Sequence, residues 1–131
     1  MAGRLSSSAA LKVAELQSFV PKILRLNALV ETFATASTRG DTQQSSLKRA
    51  ADQLKLQFMG VGLDQLSQLC GSIVLAVARA GNHNTKVRTL RELVGSLRFQ
   101  LDLSIRTIIR EDEQARNKSE NLSSEIQPKD L

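Results

Sequence analysis

The side chains that are best suited to do chemistry lie on one predicted helix, where an acid is flanked by two bases. Asp52 has Lys48 four residues before it and Lys55 three residues after it, and these spacings place the three charges on one helical face. The carboxylate can form ion pairs with the lysines, but it is a weak nucleophile and it repels a phosphate group. Taken alone, these residues indicate a solvated charge cluster that contributes little to stability.

Other catalytic arrangements do not occur in the sequence. The single histidine, His83, lies in a polar predicted turn, and the single cysteine, Cys70, lies on an apolar helical stripe. No Cys/His spacing fits a metal site, and no glycine-rich phosphate-binding motif is present. We therefore expect no enzyme activity, no metal and no cofactor. His83 is expected to be a solvated loop residue, and Cys70 a small buried hydrophobic residue in a reduced, intracellular setting.

The helix that carries Asp52 is predicted to have a buried face and an outward face. Its buried stripe recurs at helical spacing and consists of Leu47, Ala51, Leu54 and Phe58. Leu56 and Met59 lie on the outward face, and Gly60 and Gly62 follow directly. Because glycine permits positive φ, the helix is expected to end here and a second helix to fold back.

This stretch resembles the signature of histidine-containing phosphotransfer (HPt) domains. In that signature a histidine in the middle of a helix precedes x-Leu-Lys-Gly, and an aliphatic residue and a glycine follow after a few small residues. The residues of this chain that fall in register are Leu54, Lys55, Val61 and Gly62. Asp52 occupies the position of the phospho-accepting histidine, and Leu56 replaces the glycine after the lysine. The resemblance implies a pseudo-HPt protein, which lacks the reactive residue.

The resemblance also implies a docking surface, because receiver domains dock on this face of HPt domains. The corresponding residues of this chain, here named the signature patch, are Lys48, Asp52, Lys55, Leu56, Met59 and Gly60. Apolar residues with a charged rim have the composition of a small protein interface. The implied function is a non-catalytic adaptor that binds a response-regulator receiver domain or a sensor histidine kinase of a two-component phosphorelay.

The whole chain is predicted to be all-α. The expected elements are a short helix over 9–18 capped by Ser7 or Ser8, a helix from Ser18 to Thr35, a loop over 37–46, the helix just described with Ser45 or Ser46 as its cap, a helix over 63–80, and a last helix from Thr85 or Lys86 to about residue 113. Four amphipathic helices with short connections favour an antiparallel four-helix bundle, here with an additional short N-terminal helix. HPt domains have this architecture.

The expected domain organisation has three parts. Residues 1–8 form a flexible N-terminus, residues 9–114 form the HPt-like bundle, and the polar residues 115–131 form a disordered tail. No run of 18 apolar residues occurs, so no transmembrane helix is expected. We expect a cytoplasmic protein, or a nuclear one in a eukaryote.

The charge and composition leave two other functions open. The formal charge of +5 favours acidic partners, but the few aromatic residues and the lack of a dense Lys/Arg run argue against nucleic acid. One alternative is a helical interaction subunit of a larger assembly unrelated to phosphotransfer, which would use the long last helix. The other is an enzyme or true phosphocarrier that uses His83.

Overall fold

The computed structural model describes residues 5–35 and 41–126, and these residues form α-helices joined by short connections. The helices are α1 (Ser7–Gln17), α2 (Val20–Thr35), α3 (Asp41–Gly60), α4 (Asp64–Ala78) and α5 (His83–Ile126). No strand occurs in the described ranges, so the all-α prediction is confirmed. Within the same ranges, no helix combines the length and the apolar character needed to cross a bilayer.

Contacts divide the chain into two compact units. One unit is Ser18–Leu101, and the other consists of Met1–Gln17 together with Asp102–Leu131. The first unit therefore contains α2, α3, α4 and the first part of α5. This division differs from the single bundle predicted for residues 9–114, because α1 groups with the second part of α5.

The unit of residues 18–101 has an apolar core to which each of its helices contributes one stripe. Its buried apolar residues are Phe19, Ile23, Leu26, Val30, Phe33, Leu47, Ala51, Leu54, Phe58, Leu66, Cys70, Ile73, Val77, Val87, Leu90, Val94, Leu97 and Leu101. The rings of Phe19 and Phe58 lie 4.5 Å apart between centroids, a distance typical of a stabilising aromatic pair. Helix α3 contacts both α2 and α4, so the core holds α3 in a fixed orientation.

The turn between α3 and α4 has the hydrogen bonds of a Schellman motif. The Leu63 amide donates to the Phe58 carbonyl at 2.9 Å, and the Gly62 amide donates to the Met59 carbonyl at 3.1 Å. Gly62 has a φ of 78°, the left-handed conformation that glycine adopts without a steric penalty. The prediction that glycine ends α3 and allows a second helix to follow is thus confirmed.

Polar contacts fix α5 against its neighbours in the same unit. The Arg91 guanidinium donates two hydrogen bonds to the Glu31 carboxylate of α2, at 2.8 and 2.7 Å. This bond holds the pKa of Glu31 below its usual value and raises that of Arg91. Lys86 Nζ donates to the Val77 carbonyl of α4 at 3.2 Å. The first turns of α5 are therefore attached to both α2 and α4.

Two helices begin at caps other than those predicted. Asn82 Oδ1 accepts hydrogen bonds from the amides of Asn84 at 2.8 Å and Thr85 at 3.4 Å, so α5 begins at His83 and not at Thr85 or Lys86. The Ser6 hydroxyl accepts a hydrogen bond from the Ala9 amide at 3.3 Å. Ser6 therefore caps α1, and the predicted cap at Ser7 or Ser8 is wrong.

Two helices are also longer than their polar composition suggested. Helix α3 begins at Asp41, so the predicted loop over 37–46 is wrong for residues 41–46, and residues 37–40 lie outside the described residues. Ser45 and Ser46 are inside the helix and do not cap it. Gln44 Nε2 donates to the Val77 carbonyl at 2.9 Å, which gives this added helical stretch a tertiary contact.

The tail predicted to be disordered from residue 115 is helical as far as Ile126. Its Ala, Arg, Lys and Glu residues have good helix propensity, and extending an existing helix avoids the cost of nucleation. At the other end of the chain, Ser7 and Ser8 of the predicted flexible N-terminus lie in α1. Residues 1–4 and 127–131 lie outside the described part of the chain.

The second unit contains a hydrogen-bonded link between the start of α1 and α5. The Asp112 carboxylate accepts hydrogen bonds from the Ser6 amide at 3.1 Å and from the Ser6 hydroxyl at 2.6 Å. Arg116 Nε lies 3.5 Å from the same carboxylate. The bonds from Ser6 lower the pKa of Asp112. A negative charge at the N-terminus of α1 also complements the helix dipole.

Candidate protein-binding site

Helix α3 presents the signature patch to solvent. Leu56 is 65% exposed and Met59 is 54% exposed, while Lys48, Asp52 and Gly60 are also exposed. The residues of the predicted buried stripe, Leu47, Ala51, Leu54 and Phe58, are all 3% exposed or less. The predicted division of this helix into a buried and an outward face is therefore confirmed. Hydrophobic burial of the stripe fixes the rotation of α3, and this rotation points Asp52 away from the core.

The Asp52 carboxylate is solvated. Among the described residues it has no hydrogen-bond or ion-pair partner, so the ion pairs expected with Lys48 and Lys55 do not form. Exposed pairs at these helical spacings stabilise by only about 0.3–0.5 kcal/mol, which is too little to hold two long side chains in one geometry. The patch thus carries a free carboxylate between two positive charges.

Lys55 extends towards α4 instead of towards Asp52. A Cβ atom placed on Gly71 would lie 3.8 Å from Lys55 Cε and 3.9 Å from its Nζ. The lysine side chain therefore crosses α4 at the residue that lacks a side chain. Its positive charge acts on the neighbouring thiol of Cys70, but burial dominates and raises the pKa of Cys70 to about 12. Lys55 is consequently half-buried, with its amine held at the α3–α4 boundary.

An open groove continues the signature patch onto α4. The groove has a volume of about 570 Å³ and is lined by Lys55 and Met59 of α3 and by residues of α4 that include Gln68, Ser72 and Leu75. Leu75 is 65% exposed. Leu75 was not among the predicted site residues, although its position off the buried stripe of α4, which includes Leu66, Cys70, Ile73 and Val77, was a signal that it points outward. The exposed apolar surface therefore spans two helices.

His83 is exposed, as predicted, but it lies in a helix and not in a loop. It is the first residue of α5, and its ring lies 4.9 Å from the Phe33 ring between centroids. Its Nε2 atom is 3.3 Å from the Ala34 carbonyl oxygen. In the described part of the chain, no group of three or more His, Cys, Asp or Glu residues could hold a metal ion. These contacts hold the exposed His83 ring against the end of α2.

Comparisons with protein-family models, with curated proteins and with solved structures find no match to this chain.

Proposed function

We propose that this protein is a non-catalytic HPt-like signalling adaptor. It binds a receiver domain or a sensor kinase of a two-component phosphorelay and regulates it without carrying phosphate. The observation that supports the proposal is the exposure of Asp52, Leu56 and Met59 together on the outward face of α3. An apolar pair beside a solvated charge forms a surface suited to a protein partner.

The proposed scaffold is an antiparallel four-helix bundle of the HPt type, with α1 as an additional N-terminal helix. The bundle would consist of α2, α3, α4 and the first part of α5. Three observations support this arrangement: α3 contacts α2 and α4, a three-residue connection over 61–63 joins α3 to α4, and α5 is bonded to both α2 and α4 through Arg91 and Lys86.

Asp52 is compatible with the docking of a partner but not with phosphoryl transfer. A carboxylate is a poorer nucleophile than imidazole and repels a phosphoryl group electrostatically. The charged residues nearest to it in sequence are Arg49, Lys55 and Lys48, all basic, and among the described residues no acidic cluster of the kind that holds a metal in a receiver domain includes it. The patch can therefore contact the surface that a phosphotransfer protein would contact, while lacking the group that accepts phosphate.

The apolar residues of the patch supply a useful part of the binding free energy. Full burial of a leucine or methionine side chain stabilises by roughly 1.5–3 kcal/mol. With Leu56 65% exposed and Met59 54% exposed, docking can recover somewhat more than half of this from each, or about 2–3.5 kcal/mol together. Micromolar affinity requires about 8 kcal/mol, so charges and the groove on α4 must contribute the remainder.

The direct test is to place a charge at the centre of the patch. We expect Leu56→Asp to weaken binding to receiver domains by about tenfold or more in calorimetry, because a buried unpaired carboxylate opposes docking. Leu24→Asp is the matched control, since Leu24 is a 53% exposed leucine on α2 outside the patch. Equal affinity of the wild type and Leu56→Asp for every receiver would contradict the proposal.

A gain-of-function test examines the position of Asp52. The variant Asp52→His, alone or combined with Leu56→Gly, should accept phosphate from a phosphorylated receiver domain. The same substitutions combined with His83→Ala should accept it equally, because the native histidine packs on Phe33. Failure of both histidine variants with several receivers would favour the second candidate.

That second candidate is a helical interaction subunit of a larger assembly. It is favoured by Phe99, which lies on α5 and is 61% exposed, an unusual degree of exposure for an aromatic side chain. This function predicts that partner binding survives changes at Asp52, Lys55 and Leu56. It also predicts that Phe99→Ser abolishes binding.

A further inference from the structure

A cleft of about 390 Å³ opens between α2 and α3. It lies on a different side of α3 from Lys55 and the groove of α4. The side chains with polar groups that line it, here named the basic cleft, are Lys22, Arg25, Ser46, Arg49, Gln53 and Gln57. The remaining described lining residues are Leu29, Ala50 and Leu54. The cleft therefore has polar walls around a small apolar surface, with no acidic residue among the described lining.

Each helix contributes one row of side chains to the basic cleft. Lys22 and Arg25 are three residues apart on α2, and the α3 residues recur at spacings of three and four, so each row lies on one helical face. Lys22 Nζ donates to Gln57 Oε1 at 2.9 Å, which joins the two rows at one end. The positions of these groups are therefore set by two helices that contact each other.

The positive charges of the cleft have no compensating carboxylate among the residues that the structure describes. Among the described residues, Lys22 contacts neutral groups, the Gln57 amide and the Phe19 ring, whose centroid is 5.2 Å from Nζ. Within the described residues, Arg25 and Arg49 have neither a hydrogen-bond nor an ion-pair partner. Three like charges around one concavity repel one another and create a positive potential, which an anion would relieve.

We propose that the basic cleft binds a small ligand that carries two or more phosphate groups. Guanidinium groups pair with phosphate through two parallel hydrogen bonds, and the Ser46 hydroxyl and the Gln53 amide are neutral donors for the remaining oxygens. The described lining residues include no aromatic side chain, so they offer no stacking surface for a nucleobase. The volume lies in the range of about 300–1,000 Å³ that is usual for small-molecule sites. This ligand site is independent of the proposed adaptor function.

The test measures the binding of inorganic tripolyphosphate and of inositol hexakisphosphate by calorimetry, in a phosphate-free buffer at physiological ionic strength. We expect binding at one site per chain. The double variant Arg25→Gln/Arg49→Gln should weaken it by about tenfold for each arginine removed. Arg106→Gln/Arg110→Gln is the matched control, because it removes the same charge from exposed arginines elsewhere on α5. Circular dichroism establishes that each variant is folded.

A second pair of variants keeps the test decisive if the glutamine variant does not fold. Arg25→Lys/Arg49→Lys retains the charge but cannot form the paired hydrogen bonds, so it should also weaken binding while the control does not. Absence of binding by the wild type would overturn the proposal. Equal weakening in the cleft variant and the control would also overturn it, since binding would then depend only on net charge. If a polyglutamate peptide binds more tightly than either polyphosphate, and the Arg25 and Arg49 variants weaken that binding too, the ligand of the cleft is an acidic protein segment and the proposal is overturned.

Discussion

Alanine substitutions at Gly62 and Gly71 are expected to change the stability of the protein in opposite directions. Gly62 has a φ of 78°, and an alanine in the left-handed region costs about 1–2 kcal/mol. Gly71 lies inside α4, where replacing glycine by alanine stabilises a helix by up to about 1 kcal/mol. A Cβ atom on Gly71 would meet only the flexible end of Lys55, at 3.8 Å or more. That distance is an ordinary van der Waals contact, so no steric cost offsets the gain.

The expected shifts can be measured by calorimetry and by urea denaturation. For a chain of 131 residues, a change of 1 kcal/mol moves the midpoint of thermal unfolding by about 4 °C. Gly71→Ala should therefore raise Tm by about 2–4 °C, and Gly62→Ala should lower it by about 4–8 °C. Gly95→Ala is the control for helix propensity, because Gly95 lies inside α5 and a Cβ atom there would have no neighbour within 4 Å.

Two results would refute this reasoning. A rise in Tm for Gly62→Ala would mean that the turn between α3 and α4 does not require a left-handed residue. A fall in Tm for Gly71→Ala, together with a rise for Gly95→Ala, would mean that the α3–α4 boundary is packed more tightly at Lys55 than the distances indicate. The second result would also change the description of the groove that continues the signature patch.

Three further predictions concern titratable groups. Cys70 should resist a thiol reagent at pH 8 in the folded protein and react after denaturation in urea, because burial raises its pKa to about 12; rapid reaction in the absence of denaturant would contradict this. Asp112 has a pKa lowered mainly by the hydrogen bond from the Ser6 hydroxyl, so its stabilising effect is present above the unfolded value of 3.8 and is lost as the pH falls through the folded value. Ser6→Ala should raise the Asp112 pKa in an NMR titration, and an unchanged value would show that Ser6 is not its main partner. Arg91→Gln should likewise raise the pKa of Glu31 towards 4.5, and the unfolding midpoints of this variant and the wild type should converge as the pH falls below the folded value.

Hydrophobic periodicity was sufficient to predict the orientation of α3. Four apolar residues at helical spacing bury one face, and the free energy of that burial exceeds any preference of the charges on the opposite face. The exposure of Asp52 and Leu56 follows directly from it. The end of α3 was also predictable, because Gly62 supplies the φ of 78° that the turn needs.

Helix ends and side-chain directions depended on tertiary contacts that spacing does not reveal. Gln44 lies in a polar stretch that resembles a loop, but its amide bonds to the Val77 carbonyl of α4. Lys55 has the spacing to pair with Asp52, but the space above Gly71 directs it to α4. In each case the deciding neighbour comes from another helix.

For the same reason, the basic cleft and the groove on α4 could not be predicted from the sequence. The basic cleft requires Arg25 of α2 to lie beside Arg49 of α3, and the groove requires Leu75 of α4 to lie beside Met59 of α3. Each pair depends on the register in which two helices contact each other. Single-helix patterns contain the residue types but not this register.

The position of Met59 makes the proposed interface sensitive to oxidants. Its side chain is 54% exposed, so peroxide can reach the thioether and convert it to a sulfoxide. The product is polar and chiral, and it would stand where a partner requires an apolar contact. Oxidative stress would thereby weaken the proposed docking, and methionine sulfoxide reductases would restore it.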